Sequence, residues 1–334
     1  MNIRAFLQQA AGGSGGRKAI PVLSFPAVQK LNISVKELLL SPELQAEAMA
    51  CIACETDSAA AVSLMDLSVE AEALGAEVRY FEDEVPTVTG QSITTAREAE
   101  ALQLPPVAQC RTALCAEAIS LAKEKITDKP VFAGMTGPFS LAGRLMGVTE
   151  ILYVCFDEPE TVHTVLRKAT DFLLAYGRAL KAAGADGILL AEPLAGILSP
   201  AMAAEFSVPY VKTLVEALQE ESFALIYHNC GNSACDMLPE IFSQGAMAYH
   251  FGNSADMAAV MAFAPADTVC MGNIDPAAHF TTGTAQSMEQ AVKELLDRCG
   301  GYRNFLLSSG CDIPPHARWE NIEAFFAALK AYEN

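Results

Sequence analysis

Short apolar, β-rich runs separated by longer amphipathic stretches recur almost to the C-terminus, and this alternation narrows the fold more than any other feature. The β-rich runs are residues 19–25, 60–67, 130–137, 187–193, 222–230, 246–252, 267–275 and 304–311. Nearly continuous apolar runs such as FALIY and GILLA suit strands buried on both faces. The clearest helical patterns span 42–54, 158–183, 200–220, 286–298 and 318–332. Ser41-Pro42 and Ser199-Pro200 each place a capping serine before a proline at the first helical position, and Gly184 and Gly300 follow their helices as stops. Eight βα-like units without a linker predict an α/β chain folded as a (β/α)8 TIM barrel, one domain over residues 1–334. A doubly wound open sheet is the alternative, but no G-x-G-x-x-G follows the first run, which weakens a dinucleotide-binding version.

Two stretches stand outside that repeat. MNIRAFLQQAAGGSGG reads as a short helix followed by a flexible glycine-serine loop, with no apolar core of signal-peptide length. EVRYFEDEVPTVTGQSI predicts a β-hairpin insertion at about 76–93, over the barrel mouth. No run reaches the ~18 apolar residues of a membrane span. The net charge of -18, from 22 basic and 40 acidic residues, repels phosphate backbones and anionic lipid, so neither nucleic acid nor membrane is expected as a partner. A cytoplasmic location follows, and a homodimer is compatible with the sequence.

Catalytic groups of such barrels sit at the C-terminal ends of strands. Those ends carry Asp66, Glu70, Glu192, His228, Cys230, Asn273, Asp275, Cys311 and Asp312, with His250 inside the sixth run. His228 and Cys230 are two apart on a strand, so both point to one face and Asn229 to the other. If that face is the interior, imidazole and thiol converge, and Cys311 approaches from the eighth strand. One histidine and two cysteines form a zinc set with a fourth position open, as catalytic zinc requires. The plain alternative is a satisfied core histidine beside inert thiols. Cys51-x-x-Cys54 imitates a redox or zinc motif, but it sits inside a helix with no second pair, and reads as packing. Cys110, Cys115, Cys155, Cys235, Cys270 and Cys299 read as packing too, and His163 and His279 as surface or loop residues. His316, close to Cys311, is a minor ligand candidate. Asp66, Glu70 and Glu192 are catalytic candidates that could complete the zinc shell or orient its histidine.

The stretches MDLSVEAEALGAEV, PVFAGMTGPFSLAGRLMG, GADGILLAEPLAGILSP, IYHNCGN, GNIDP and LSSGCDIPP, in this order, resemble the uroporphyrinogen decarboxylase superfamily, specifically its methyltransferase branch of methylcobamide:coenzyme M enzymes. The likeness runs from about residue 60 to the C-terminus and implies the same (β/α)8 barrel. That branch carries zinc on H-x-C followed much later by C, which maps onto His228, Cys230 and Cys311. The decarboxylases carry an R-Q-A-G-R-Y-like motif after the first strand, where this chain has SFPAVQKLN, and a G-H near the last strand, where it has Gly310-Cys311. Their tyrosine after the G-P motif is replaced by Arg144, while their aspartate after strand two is retained as Asp66. Coenzyme M enzymes often carry acidic residues just after strand six. Here that stretch is HFGNSADM, whose first acid is Asp256 and whose nearest titratable group is His250.

The resemblance implies transfer of a methyl group from a methylated corrinoid to a small thiol such as coenzyme M, by attack of a zinc-bound thiolate. Asn273, Asp275 and Arg144 are the candidates for contact with the corrinoid. No D-x-H-x-x-G corrinoid module is present, so the corrinoid would arrive on a partner protein, docking at the mouth and the insertion over 77–91. The rival readings are a metal-free tetrapyrrole decarboxylase and a non-catalytic barrel that binds a corrinoid or a partner protein.

Overall fold

The structure is a computed structural model that describes residues 1–13 and 15–333. Its strands are β1 (Ala61–Val62), β2 (Glu77–Arg79), β3 (Thr87–Thr89), β4 (Val131–Thr136), β5 (Gly187–Ala191), β6 (Ala224–Asn229), β7 (Ala248–Phe251), β8 (Val269–Ile274) and β9 (Phe305–Ser309). Seven of them form one parallel sheet in the order β1-β4-β5-β6-β7-β8-β9. Ala19 joins the two edges, bridging in parallel to Ser58 just ahead of β1 and to Leu307 in β9. The sheet is thus closed as a barrel, with the segment around Ala19 in the eighth place and helices outside it.

That eighth place departs from the expected strand over 19–25. Pro21 has no N–H to give a neighbour. The Val22 N–H turns to the Ser309 hydroxyl (3.0 Å), and Ile313 N–H reaches the Val22 carbonyl (3.0 Å). The run over 60–67 likewise shortens to β1, because the Ser63 hydroxyl takes the Gly134 N–H at 2.8 Å in place of a main-chain carbonyl. The helix expected over 200–220 is two, Pro200–Phe206 and Val208–Leu218, broken at Ser207. Pro209 causes the break, having no N–H for the carbonyl one turn back. The other long helices follow the pattern, at Pro42–Glu55, Pro159–Ala182, Ala285–Cys299 and Trp319–Glu333. Ser41 and Ser199 cap as expected, accepting from Leu44 N–H and Met202 N–H. The insertion is a two-stranded antiparallel hairpin of β2 and β3, with Glu77 opposite Thr89. No single helix among the described residues is long and apolar enough to cross a membrane.

Alternation along the strands sorts the core into two layers. Leu225 and Tyr227 of β6 pack outward against the helices. Ala224 and Ile226 face the interior with Phe132, Leu189, Ala248, Val269, Met271 and Leu306. The helix Ile3–Gly12 seals the N-terminal end, placing Ile3, Leu7, Ala10 and Ala11 against that interior cluster. It is tied to loops entering the barrel at its start, through Ile3 N–H to the Glu221 carbonyl, and at its middle, through the Gln8 side chain to the Asp267 carbonyl. The glycine-serine stretch expected after this helix includes Ser14, which lies outside the described residues. Because Leu7 is only 1% exposed, Leu7→Ala is expected to cost about 2–5 kcal/mol of stability, read from urea unfolding midpoints.

Candidate metal centre

The inward row of β6 continues from Ala224 and Ile226 to His228. In register beside His228 lie Ala191 of β5 and His250 of β7. Hence the barrel interior is apolar up to one polar layer at its C-terminal end. Cys230 follows β6 by one residue, and Gly252 holds it in place: a Cβ at Gly252 would come within 2.5 Å of the Cys230 Cα and Cβ. Asn229, between the two candidate ligands, points outward and bonds the Tyr227 hydroxyl and Gly231 N–H. Cys311 arrives two residues beyond β9, after Gly310 N–H bonds the Ile274 carbonyl at 2.6 Å.

His228, Cys230 and Cys311 each offer one ligand atom, and these atoms lie within 4.8 Å of one another. No other group of three or more His, Cys, Asp or Glu side chains among the described residues is arranged to hold an ion. Cys311 Sγ is 3.7 Å from His228 Nε2. Sulfur and nitrogen ligands on one tetrahedral zinc ion would stand about 3.6 Å apart, so the pair fits without rearrangement. The two thiols are coupled. A hydrogen bond from Cys311 holds the Cys230 thiol below its ordinary range, while giving that bond, together with burial, pushes the Cys311 thiol up to about 12. His228 is buried and both cysteines are half-buried, so the sulfurs form the more accessible side of the cluster. Donor chemistry and spacing both suit zinc.

Behind His228 runs a chain of polar contacts. His228 Nδ1 is 2.7 Å from His250 Nδ1, and His250 Nε2 is 2.8 Å from the Ser308 hydroxyl. That hydroxyl donates to the Ile20 carbonyl at 2.7 Å. Burial first, then the neighbouring His228, pushes the His250 imidazole well below the usual histidine range.

The carboxylates read as catalytic candidates have their hydrogen-bond partners outside the His228–Cys230–Cys311 cluster. Glu192 is fully buried and accepts from Phe139 N–H (2.8 Å), Ser140 N–H (2.9 Å) and the Ser140 hydroxyl (2.8 Å), capping the helix Pro138–Met146. Gly137 is needed there, since a Cβ would meet the Glu192 side chain at 2.2 Å. Asp66 accepts from Arg111 Nη1 at 2.5 Å and from the Ser68 hydroxyl at 2.6 Å, and Arg111 also pairs with Glu72. Glu70 accepts from Thr136 N–H and, at 3.2 Å, its hydroxyl. Neither Glu192 nor Asp66 belongs to the metal cluster.

The residues read as corrinoid contacts divide. Asn273 donates to the Gly252 and Ala255 carbonyls, and Asp275 caps the turn Pro276–Thr281 and accepts from Asn253. Arg144 differs, because its Nε is buried with no hydrogen-bond partner and burial pushes its guanidinium down. His316 is exposed and outside the cluster. His163 is not a loop residue: it lies in the helix Pro159–Ala182, stacked on Phe206, 2.7 Å from the Tyr210 hydroxyl. Asp256 caps the helix Met257–Phe263 and pairs with Arg298. Asp312, among the strand-end candidates, has a buried Oδ1 without a hydrogen-bond partner, and Ser308, whose polar side chain the run FLLSS places on the inward face, was not among them.

The family model described as uroporphyrinogen decarboxylase (URO-D) matches residues 17–332. Methylcobamide:CoM methyltransferase MtbA of Methanosarcina acetivorans is 27% identical over 272 residues, which cover 80% of this chain and 78% of that one. A uroporphyrinogen decarboxylase of Xanthomonas campestris is 28% identical over 251 residues, covering 71% and 69%. The solved structure of a methyltransferase from Methanosarcina mazei shares the fold with a TM-score of 0.87 at 23% identity, over 100% of both chains.

Burial raises Glu192 from the ordinary 4.5 to about 7, against the opposing bonds from Ser140 and Phe139. A carboxyl whose folded value is raised binds its proton more tightly when folded. Its stabilisation is complete below pH 4.5 and is lost as pH rises through 7. The stability of the wild type relative to Glu192→Gln should therefore fall, by up to about 3 kcal/mol, between pH 4.5 and about 8, as measured by urea unfolding of both proteins.

Proposed function

This chain belongs to the uroporphyrinogen decarboxylase family, and from that premise we propose that it is a zinc-dependent methyltransferase. In this reading it moves a methyl group from a methylated corrinoid, carried on a partner protein, to a small thiol such as coenzyme M. The single observation that carries the reading is the convergence of His228, Cys230 and Cys311 on one point at the barrel mouth. Nothing in a metal-free tetrapyrrole decarboxylase calls for two thiols and an imidazole so arranged. The likeness to a methylcobamide:CoM methyltransferase over most of both chains supports the same assignment.

His228 would hold the ion through Nε2, and Cys230 and Cys311 as thiolates. Zinc bound there supplies a site at which a substrate thiol is kept deprotonated at neutral pH. Loading would release the thiol protons of Cys230 and Cys311, the second held more tightly by its bond to Cys230 and by burial. The apolar layer beneath, with Ile226, Leu189, Met271 and Leu306, keeps water from the inner side of the site. In the transfer, the substrate sulfur forms a bond to the methyl carbon as the carbon–cobalt bond breaks, leaving its electron pair on cobalt. The products are a thioether and a cob(I)amide. Arg144, with an unpartnered buried Nε, is the residue we assign to the corrinoid or to an anionic group of the thiol. The hairpin of β2 and β3 belongs to the docking face.

Metal analysis together with a thiol screen using methylcobalamin tests this. The expected result is about one zinc per chain, lost in Cys230→Ser and in Cys311→Ser, and methyl transfer to at least one thiol that falls at least ~100-fold in both variants. A metal-free wild type that decarboxylates a tetrapyrrole would overturn the proposal. Full zinc content with no transfer to any thiol would favour the binding-only barrel instead.

A further inference from the structure

The polar chain behind His228 has a direction. A carbonyl oxygen can only accept, so the one hydroxyl hydrogen of Ser308 is committed to Ile20, 2.7 Å away and buried. Ser308 Oγ must then accept from His250, which fixes a hydrogen on His250 Nε2 at 2.8 Å. His250 is buried, and its hydrogen-bond partners are an imidazole and a hydroxyl with no carboxylate, so it is a neutral imidazole with one hydrogen, and its Nδ1 is left as an acceptor. Its partner at 2.7 Å is His228 Nδ1, which must therefore be the donor. His228 then has its hydrogen on Nδ1 and a free lone pair on Nε2, the atom 3.7 Å from Cys311 Sγ.

We infer that Ser308 and His250, anchored on the Ile20 carbonyl, are positioning residues that lock His228 in the Nδ1–H tautomer and aim Nε2 at the metal position. The inference rests on the metal reading above only for the identity of the ion, since the order of donors and acceptors follows from the hydrogen-bond geometry and from the burial of His250 away from any acid. A pair of core histidines that merely satisfied each other could run in either direction. Here the fixed acceptor at Ile20 leaves one direction only. The register supports a shared task, because His228 and His250 are direct cross-strand partners and Ser308 comes from the strand that leads to Cys311. The chain that delivers one ligand thus also orients another. Histidine ligands held by a partner on their other nitrogen bind metal more tightly, and loss of such a partner typically costs about 10–100-fold in affinity.

Two measurements test this. In metal-free protein labelled with 15N-histidine, long-range proton–nitrogen correlation spectra of the five imidazoles read each tautomer directly. The expected pattern is His228 protonated on Nδ1 and His250 on Nε2, with each resonance identified from its own variant. The second is zinc affinity by competition with a chromophoric chelator, with folding checked by circular dichroism. His250→Leu should weaken binding by about 10–100-fold. His250→Asn, whose Oδ1 stands where Nδ1 accepted, should stay within a few-fold of wild type. A His228 protonated on Nε2, or His250→Leu binding zinc as tightly as wild type, overturns the inference. If a variant fails to fold, the wild-type tautomers still decide. If the tautomers are as assigned and the wild type binds no zinc, the lock stands and the metal reading falls.

Discussion

Closure of the sheet at Ala19 is the constraint on which the rest of the molecule depends. Once the two edges are joined, every strand has an inside and an outside, and residues two apart share one of them. The interior then fills from the sealed end with Ile, Leu, Met, Val and Phe side chains, and polar groups are confined to the last inward position of each strand. His228, His250 and Ser308 occupy those last positions. The site is therefore a by-product of where the apolar filling stops.

The same economy explains the buried carboxylates. Glu192 closes β5, yet its carboxyl turns to the amide end of the next helix and leaves the metal cluster without an acid. Asp66 is drawn to Arg111 in a helix that begins 45 residues later. Acids at a barrel mouth have competing uses, and a neighbouring helix terminus or guanidinium wins when it is already within hydrogen-bond reach.

How much of this was legible follows from which features are local. The alternation of runs and the H-x-C spacing are local, and from them the barrel and the approach of His228 to Cys230 can be read. Long apolar runs announced β4 to β9 well. The expected first strand gives way because Pro21 and the hydroxyl of Ser309 replace its ladder, and the helix expected over 200–220 breaks at Ser207 because Pro209 interrupts it. The engagement of Glu192 and Asp66, and the link from Ile20 through Ser308 to His250, join segments far apart in the chain, up to 288 residues. No spacing rule reports such pairs, because closure alone brings them together.

The helix Ile3–Gly12 gives the barrel a polarity. Ile3, Leu7, Ala10 and Ala11 add an apolar cap beneath an interior already filled by Phe132, Leu189, Ile226, Met271 and Leu306. His228, Cys230 and Cys311 sit beyond that filling, so the C-terminal end is the face from which they are approached.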